Sequence, residues 1–210
     1  MIEKIFSKIH WLGHDSFRID APSGTIYIDP YELPENSPPA DVVLVTHEHF
    51  DHCSPGDIAS IRTDATMVLT AKDAAAKIGG DVRIMKPGDS TELASMRFAA
   101  VPAYNVDKPF HPQSNGWLGF VIETEGVRIY HAGDTDFIPE MASISADIAL
   151  LPVSGTYVMD AREAVEAALA IGPAIAVPMH FGAIVGSRRD AEDFRQGLKG
   201  RVDVRILEHS

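Results

Sequence analysis

The chain has 210 residues, 45% of them apolar and 23% charged, and its formal charge is -12, from 18 basic and 30 acidic side chains. That length fits one domain, residues 1–210, with a sizeable core, and the balance is that of an ordinary globular protein. The acidic excess opposes binding to phosphate polymers and anionic membranes, and a lone cysteine, Cys53, excludes an internal disulfide.

No apolar run approaches the length of a membrane span. Glu3, Lys4, Lys8 and His10 break up the N-terminus, unlike a secretory signal. A cytoplasmic protein without membrane insertion is the expectation.

Residues 8–12, 17–21 and 25–29 read as three short strands, with the Pro22-Ser23-Gly24 turn between the second and third. Pro34, Pro38 and Pro39 then mark a loop. Residues 41–45 form a β-branched run of the kind expected of a buried strand. Thr46-His47-Glu48-His49-Phe50-Asp51-His52 follows directly. In extended chain, residues i and i+2 point the same way, so His47 and His49 can converge on one ion. Asp51 and His52, after the chain turns, can face a second point nearby. Imidazole and carboxylate are ligands for zinc and similar divalent ions. A closed structural zinc site would favour several cysteines, and this chain has one.

Ser54 can cap a helix that has Pro55 at its first position; Cys53, just before it, reads as a small buried residue. Residues 66–70 read as a strand, 72–78 as an alanine-rich helix closed by Gly79-Gly80, and 82–85 and 96–101 as strands. The long loop 102–116 carries Tyr104, Asn105, Phe110 and His111, and loops of this length often line sites. Residues 117–123 and 127–131 form a hairpin leading into Gly133-Asp134-Thr135. A strand at 148–153, a helix from a capping box at Asp160 to Ile171, a strand at 174–179 ending at His180, a helix at 189–198 and a strand at 202–207 complete the chain.

His-x-His-x-Asp-His after an apolar strand resembles the metal-binding signature of the metallo-β-lactamase superfamily. Trp11-Leu12-Gly13-His14, Ile28-Asp29-Pro30, His131-Ala132-Gly133-Asp134-Thr135 and Pro178-Met179-His180 support the resemblance in order from Trp11 to Phe181. It is nearest to small single-domain hydrolases related to L-ascorbate-6-phosphate lactonase. Periodicity alone gives α/β or α+β; the resemblance implies an α+β, four-layer αββα sandwich.

The resemblance also implies site roles. Asp134 would bridge two ions, His47 and His49 would hold the first, and Asp51, His52 and His180 the second. Asp29 would accept hydrogen bonds beneath the metal loop, His14 would stand in the pocket, and His131 would either support the ligands or fill a strand position. The cofactors would be two divalent ions, zinc first and manganese second, and their bound hydroxide would attack a small or medium-sized ester, lactone or phosphodiester. Catalysis would fall to Asp51, Asp134 and His14. The pattern departs at one point: the histidine expected soon after the strand at 96–101 is replaced by Ala103-Tyr104-Asn105. His111, six residues beyond Asn105, is the expected replacement, with Asn105 the competing one. A small-molecule substrate is expected and nucleic acid is not; a nuclease of the same superfamily and a non-catalytic metal-binding domain are the alternatives.

Overall fold

In the computed structural model, which describes every residue from Met1 to Ser210, the β-branched runs assemble into two mixed sheets. The first contains β1 (Ile9–Gly13), β2 (Ser16–Ala21), β3 (Gly24–Ile28), β4 (Val42–Val45), β5 (Met67–Thr70) and β6 (Arg83–Ile84), hydrogen-bonded in that order. The second contains β7 (Ser90–Leu93), β8 (Met96–Pro102), β9 (Leu118–Thr124), β10 (Val127–His131), β11 (Ile148–Pro152), β12 (Ile175–Met179) and β13 (Asp203–Val204), also in chain order. Each sheet opens as an antiparallel meander and continues as parallel strands: β3 to β6 in one, β10 to β13 in the other.

The parallel strands read as continuous apolar runs because both of their faces are covered. Alternate side chains of the first sheet divide between two clusters. Ile26, Ile28, Val42, Leu44 and Leu69 enter the core shared with Phe98, Phe120, Ile122 and Ile129 of the second sheet. Tyr27, Val43, Val45 and Val68 point outward, onto Ile58 and Ile61 of α2 (Pro55–Ile61) and Ala74 of α3 (Lys72–Ile78). On the far side of the second sheet, Ala164, Ala167 and Ala168 of α4 (Ala161–Ile171) and Ala191 and Phe194 of α5 (Arg188–Gly197) are buried. The layering is helix, sheet, sheet, helix, as expected.

The helix ends follow local chemistry. Ser54 accepts from the Asp57 amide with Pro55 in the first turn; Asp160 and Glu163 cap each other's backbone, and Gly172 closes α4 in the left-handed region. Cys53 is buried in the outer cluster of the first sheet, away from the ligands.

Some elements differ from the sequence reading. The strand expected at 202–207 is only Asp203–Val204, and that at 82–85 only Arg83–Ile84; both lie at sheet edges, with a neighbour on one side only. An N-terminal helix, α1 (Ile2–Phe6), and strand β7 were not expected. Five residues are too few to show helical periodicity, and Ser90-Thr91-Glu92-Leu93 is too polar to read as a strand. No helix is long and apolar enough to cross a membrane.

Gly133, between β10 and Asp134, has φ +65°, and a Cβ there would lie 2.7 Å from the Leu118 carbonyl oxygen and 3.2 Å from the Thr46 methyl. Gly116 has φ +64° with open space around it. Gly116→Ala should therefore cost only the left-handed conformation, about 1–2 kcal/mol. Gly133→Ala should cost clearly more, because backbone must move. Urea denaturation of the two variants side by side checks this; equal losses would show that the close approach is not a constraint.

Candidate metal centre

Seven chain segments meet along one edge of the sandwich, most of them at the C-terminal ends of parallel strands. β3 delivers Asp29, β4 the segment Thr46 to His52, β10 Asp134, β11 Ser154 to Tyr157 and β12 His180. The β8–β9 loop adds Asn105 and His111, and the β1–β2 turn adds His14 and Asp15. His14, Asp29, Tyr157 and His180 have φ of 48°, 44°, 72° and 58°. Strained backbone at non-glycine residues concentrates where the fold holds functional groups in fixed directions.

Asp134 is the hub. Its Oδ2 lies 3.2 Å from His111 Nε2, 3.4 Å from His180 Nε2 and 4.0 Å from His47 Nε2. Its Oδ1 lies 3.3 Å from His52 Nε2. His47 Nε2 is 3.0 Å from His49 Nδ1. The potential ligand atoms of His47, His49, His111 and Asp134 all lie within 4.8 Å of one another, as do those of Asp15, His52, Asp134 and His180 and those of His14, His52 and His180.

The hydrogen bonds behind these imidazoles fix their protons. His52 Nδ1 is 2.8 Å from Asp29 Oδ2, an acceptor only, so Nδ1 donates. His111 Nδ1 faces the Asn105 side-chain oxygen at 3.0 Å and the Tyr157 carbonyl at 3.1 Å, so it donates too. The Thr46 hydroxyl donates to Asp29 at 2.7 Å and therefore accepts from His47 Nδ1 at 3.0 Å. The Ser154 hydroxyl donates to the Thr156 carbonyl at 3.2 Å and accepts from His180 Nδ1 at 2.9 Å. All four rings thus turn Nε2, the nitrogen left to hold a proton or an ion, toward the Asp134 carboxylate. Nε2 of His52 and of His111 and Oδ1 of Asp134 are buried without a hydrogen-bond partner. Lone pairs facing lone pairs in a dry site require a cation between them, and an imidazole–carboxylate set with oriented rings is what zinc and similar divalent ions take. The residues present fit the metal.

The charges agree. Burial opposes protonation of His52 and His180, yet Asp134, with Asp29 for His52 and Asp15 for His180, lifts His52 well above the usual range and His180 to about 9. Burial and the neighbouring His52 keep His47 well below it. Against burial, His52, His180 and His111 hold Asp134 well below the ordinary carboxylate range. Without a metal, protons occupy the positions a cation would take.

Residues 8–180 match the family model of the beta-lactamase superfamily domain. The chain is 35% identical to a UPF0173 metal-dependent hydrolase of Methanoculleus marisnigri over 95% of its own length and 92% of the relative's. It belongs to the UPF0173 metal-dependent hydrolase family. The solved structure of a Parabacteroides distasonis protein of proposed metal-dependent hydrolase activity superimposes with a TM-score of 0.87 at 33% identity, covering 96% of this chain and 93% of that one. A Thermotoga maritima protein, described as a proposed zinc-dependent hydrolase of the metallo-beta-lactamase superfamily, shares the fold at a TM-score of 0.66 and 22% identity, covering 95% of this chain and 97% of that one.

Within this family member, the residues singled out in the sequence are brought together. Asp29 accepts from the Thr46 amide, the Thr46 hydroxyl and His52 Nδ1 at 2.7, 2.7 and 2.8 Å. His131 is fully buried: its Nδ1 accepts from the Gly133 amide at 3.2 Å, so its Nε2 donates to the Asp15 carbonyl at 2.9 Å. It ties the backbone just before Asp134 to the β1–β2 turn rather than touching a ligand side chain. Asn105 does not face the metal-ligand cluster: its side-chain oxygen is spent on the His111 amide and ring, and its amide nitrogen on Asp136 and the Tyr157 carbonyl. Asp51 stands slightly apart, with Oδ2 3.1 Å from His14 Nε2 and 3.8 Å from His52 Nε2. Of the aromatic residues, Trp117 is buried beneath the rings of His47 and His49, at 4.7 and 4.9 Å between centroids, and Phe181 is buried on Trp11, whereas Phe110 and Tyr157 border the opening.

Sequence reasoning passed over Asp15 and Asp136. Asp15 is fully buried with both carboxylate oxygens unpartnered, and Asp136 anchors the Asn105 amide at 3.0 Å. Asp15 sits beside His14 in a short turn, with no spacing to mark it. Burial, the charge of Asp134 and a contact with it push the Asp15 carboxyl well above its usual range, although His180 and His52 oppose this.

Two outcomes follow. Because His52 and His180 are raised, both carry protons near neutral pH in the metal-free protein, and metal must displace them. Metal binding should release protons, and apparent affinity should climb with pH through about 9, the region in which His180 gives up its proton. Calorimetry in buffers of different ionisation enthalpy reads the release; none near neutral pH would refute the arrangement. Asp15→Asn removes a carboxyl that burial drives toward its protonated form on folding, so the chelator-treated variant should melt about 2–4 °C higher than wild type near neutral pH, the shift of about 1 kcal/mol in a domain of this size. The gain should fade as pH falls into the ordinary aspartate range, and the stabilisation added by metal should shrink. Thermal melts with and without chelator decide it.

Proposed function

We propose that this chain hydrolyses a small or medium-sized ester, lactone or phosphodiester at a two-ion centre, with zinc the first candidate metal and manganese the second. The observation that carries this reading is the set of four Nδ1-protonated histidines aimed at the two oxygens of one buried carboxylate. His47, His49, His111 and Asp134 would hold one ion; His52, His180, Asp51 and Asp134 would hold the other, with Asp15 close behind them. Divalent ions so held would polarise the bond under attack and lower the pKa of water enough for it to act near neutrality.

The remaining work falls to the protein. Burial keeps His14 below its usual range in spite of Asp51, so it is a neutral ring donating from Nε2. Asp51 stays ionised against burial because His14 and His52 favour its charged form. His14 thereby holds the Asp51 carboxylate at the cavity, where it can accept a hydrogen bond from the attacking water and orient it. Asp29, Thr46, Ser154 and Asn105 fix the ring orientations, so little reorganisation remains at the moment of reaction. The net charge of -12 opposes a polyanionic substrate, which makes nucleic acid the weaker reading. The Thermotoga maritima protein of proposed zinc-dependent hydrolase activity supports the choice of metal, and the sequence resemblance to L-ascorbate-6-phosphate lactonase supports lactones as one class to assay.

Asp134→Ala should abolish hydrolysis and reduce a bound stoichiometry of two ions while leaving the circular dichroism spectrum unchanged. His111→Ala should weaken one of the two affinities at least tenfold in competition against a chelator, within the range found for lost or misdirected ligands. Asn105→Ala should weaken the same affinity less, because it disorients His111 without removing it. Equal affinities in His111→Ala and wild type, with a loss in Asn105→Ala, would transfer the ligand role to Asn105.

A further inference from the structure

The cavity over the metal-ligand cluster has a volume of about 270 Å³. Its floor is His49, Asp51, His111 and Asp134; its walls are Phe50, Phe110, Tyr157 and Ile184. The four wall residues come from four different loops and are 65%, 47%, 38% and 42% exposed. They make up half of the eight large hydrophobic residues that the chain exposes anywhere, and Val106, a fifth, lies in the same loop as Phe110. Scattered exposed apolar residues need no explanation, but a ring of them around a polar floor marks a place where something apolar is bound. Phe110 and Tyr157 brace each other edge to face, with ring centroids 4.7 Å apart, and Phe50 leans on Tyr31 at 5.9 Å.

No lysine or arginine lines this cavity. Lys108, the cation of the Phe110 loop, is committed elsewhere: its Nζ lies 2.6 Å from Asp136, 3.2 Å from Asp107 and 3.6 Å from Glu163. A substrate carrying a phosphate away from its reacting bond would find no protein cation to receive it, and would meet four apolar side chains instead.

Building on the hydrolase reading, we infer that the substrate is an uncharged carboxylic ester or lactone with an apolar alkyl or aryl arm, the carbonyl lying on the histidine–aspartate floor and the arm against Phe50, Phe110, Tyr157 and Ile184. The water's oxygen adds to the carbonyl carbon, the C–O bond of the alcohol breaks, and the alcohol oxygen leaves with one of the water's protons, giving an acid and an alcohol or a ring-opened hydroxy acid. The cavity's size suits an arm of about phenyl or hexyl dimensions.

The test separates binding from turnover. Straight-chain alkyl hydroxamates from acetyl to hexanoyl, which present a polar head to the floor and an arm to the walls, are titrated calorimetrically into the metal-loaded protein. Affinity should rise two- to fourfold per methylene, the upper value being full burial of each group. Ile184→Ser and Phe110→Ser should flatten that dependence while leaving acetohydroxamate affinity and metal content unchanged, and Phe110→Leu should restore most of it. In parallel, p-nitrophenyl acetate, p-nitrophenyl hexanoate and a phosphorylated lactone are assayed for hydrolysis, with kcat/KM expected highest for the hexanoate. Chain-length-independent hydroxamate affinity in the wild type, or a preference for the phosphorylated lactone, overturns the inference while leaving the hydrolase reading standing. Chain-length-dependent binding with no hydrolysis of any ester or lactone would keep the inferred arm site and overturn the assignment of the substrate as an ester or lactone. A concentration-dependent dimer in light scattering that Ile184→Ser and Phe110→Ser both abolish would assign the apolar ring to a second copy of the chain, and would also overturn the inference.

Discussion

The buried carboxylate of Asp29 is the interaction on which the centre depends. It ends β3 in a left-handed conformation, with φ 44°, and reaches across to the loop after the neighbouring parallel strand β4. There it accepts the Thr46 amide, the Thr46 hydroxyl and His52 Nδ1. Hydrogen bonds to a charged group contribute about 1.5–3 kcal/mol each when both partners are already desolvated. Three on one carboxylate offset the cost of burying it and the strain of its backbone. Through Thr46 the effect reaches His47, because a hydroxyl that donates to Asp29 can only accept from the ring. One aspartate thus sets the tautomers of two histidines and the start of the ligand loop.

The second sheet repeats the logic with different chemistry. His131 takes the place of a carboxylate: its two nitrogens tie the Gly133 amide to the Asp15 carbonyl, fixing the bend that presents Asp134. Gly133 can make that bend because it has no Cβ to meet the Leu118 carbonyl. Ser154, after β11, does for His180 what Thr46 does for His47. In both sheets the parallel strands end at the same edge, so each inter-strand neighbour supplies either a ligand or the group that orients one. This is why the cluster can be dense in charge without loose side chains: the backbone ladders set positions, and single hydrogen bonds set the rings.

Much of this was legible in the sequence, and the divide is physical. His47, His49, His52, Asp134 and His180 stand just past apolar strands of four or five largely buried residues, and such strands announce themselves. The helices α2 and α4 were marked by their caps. Asp15 carried no such mark, because it follows a strand of mixed exposure and acts through position alone. Asn105 stayed open as the competitor of His111 for a related reason: a side chain that can ligate and one that can orient a ligand have the same letters around them, and only the direction of the amide separates them. Phe110 lay in a loop already expected to line a site, but the ring as a whole was not legible, because Phe50, Phe110, Tyr157 and Ile184 are far apart in sequence and meet only when four loops close on one edge.

The loop after β8 shows how a histidine far along a loop can be held firmly in place. The Asn105 side-chain nitrogen and the Val106 backbone amide both donate to Asp136, and the Asn105 side-chain oxygen accepts from His111 twice, from its backbone amide and from its ring. The Asn105 amide in turn donates to the His111 carbonyl at 2.7 Å. Six residues of loop are thereby closed into a ring whose two ends bind each other, which removes most of the freedom a long loop would otherwise give its histidine. Lys108 balances the charge of Asp136 from the solvent side at 2.6 Å, so the anchor itself is not an isolated buried anion. Asn105 stands where the resemblance leads one to expect an imidazole. It serves as the clamp that lets a histidine six residues later reach Asp134 with its Nε2 bare and its direction fixed.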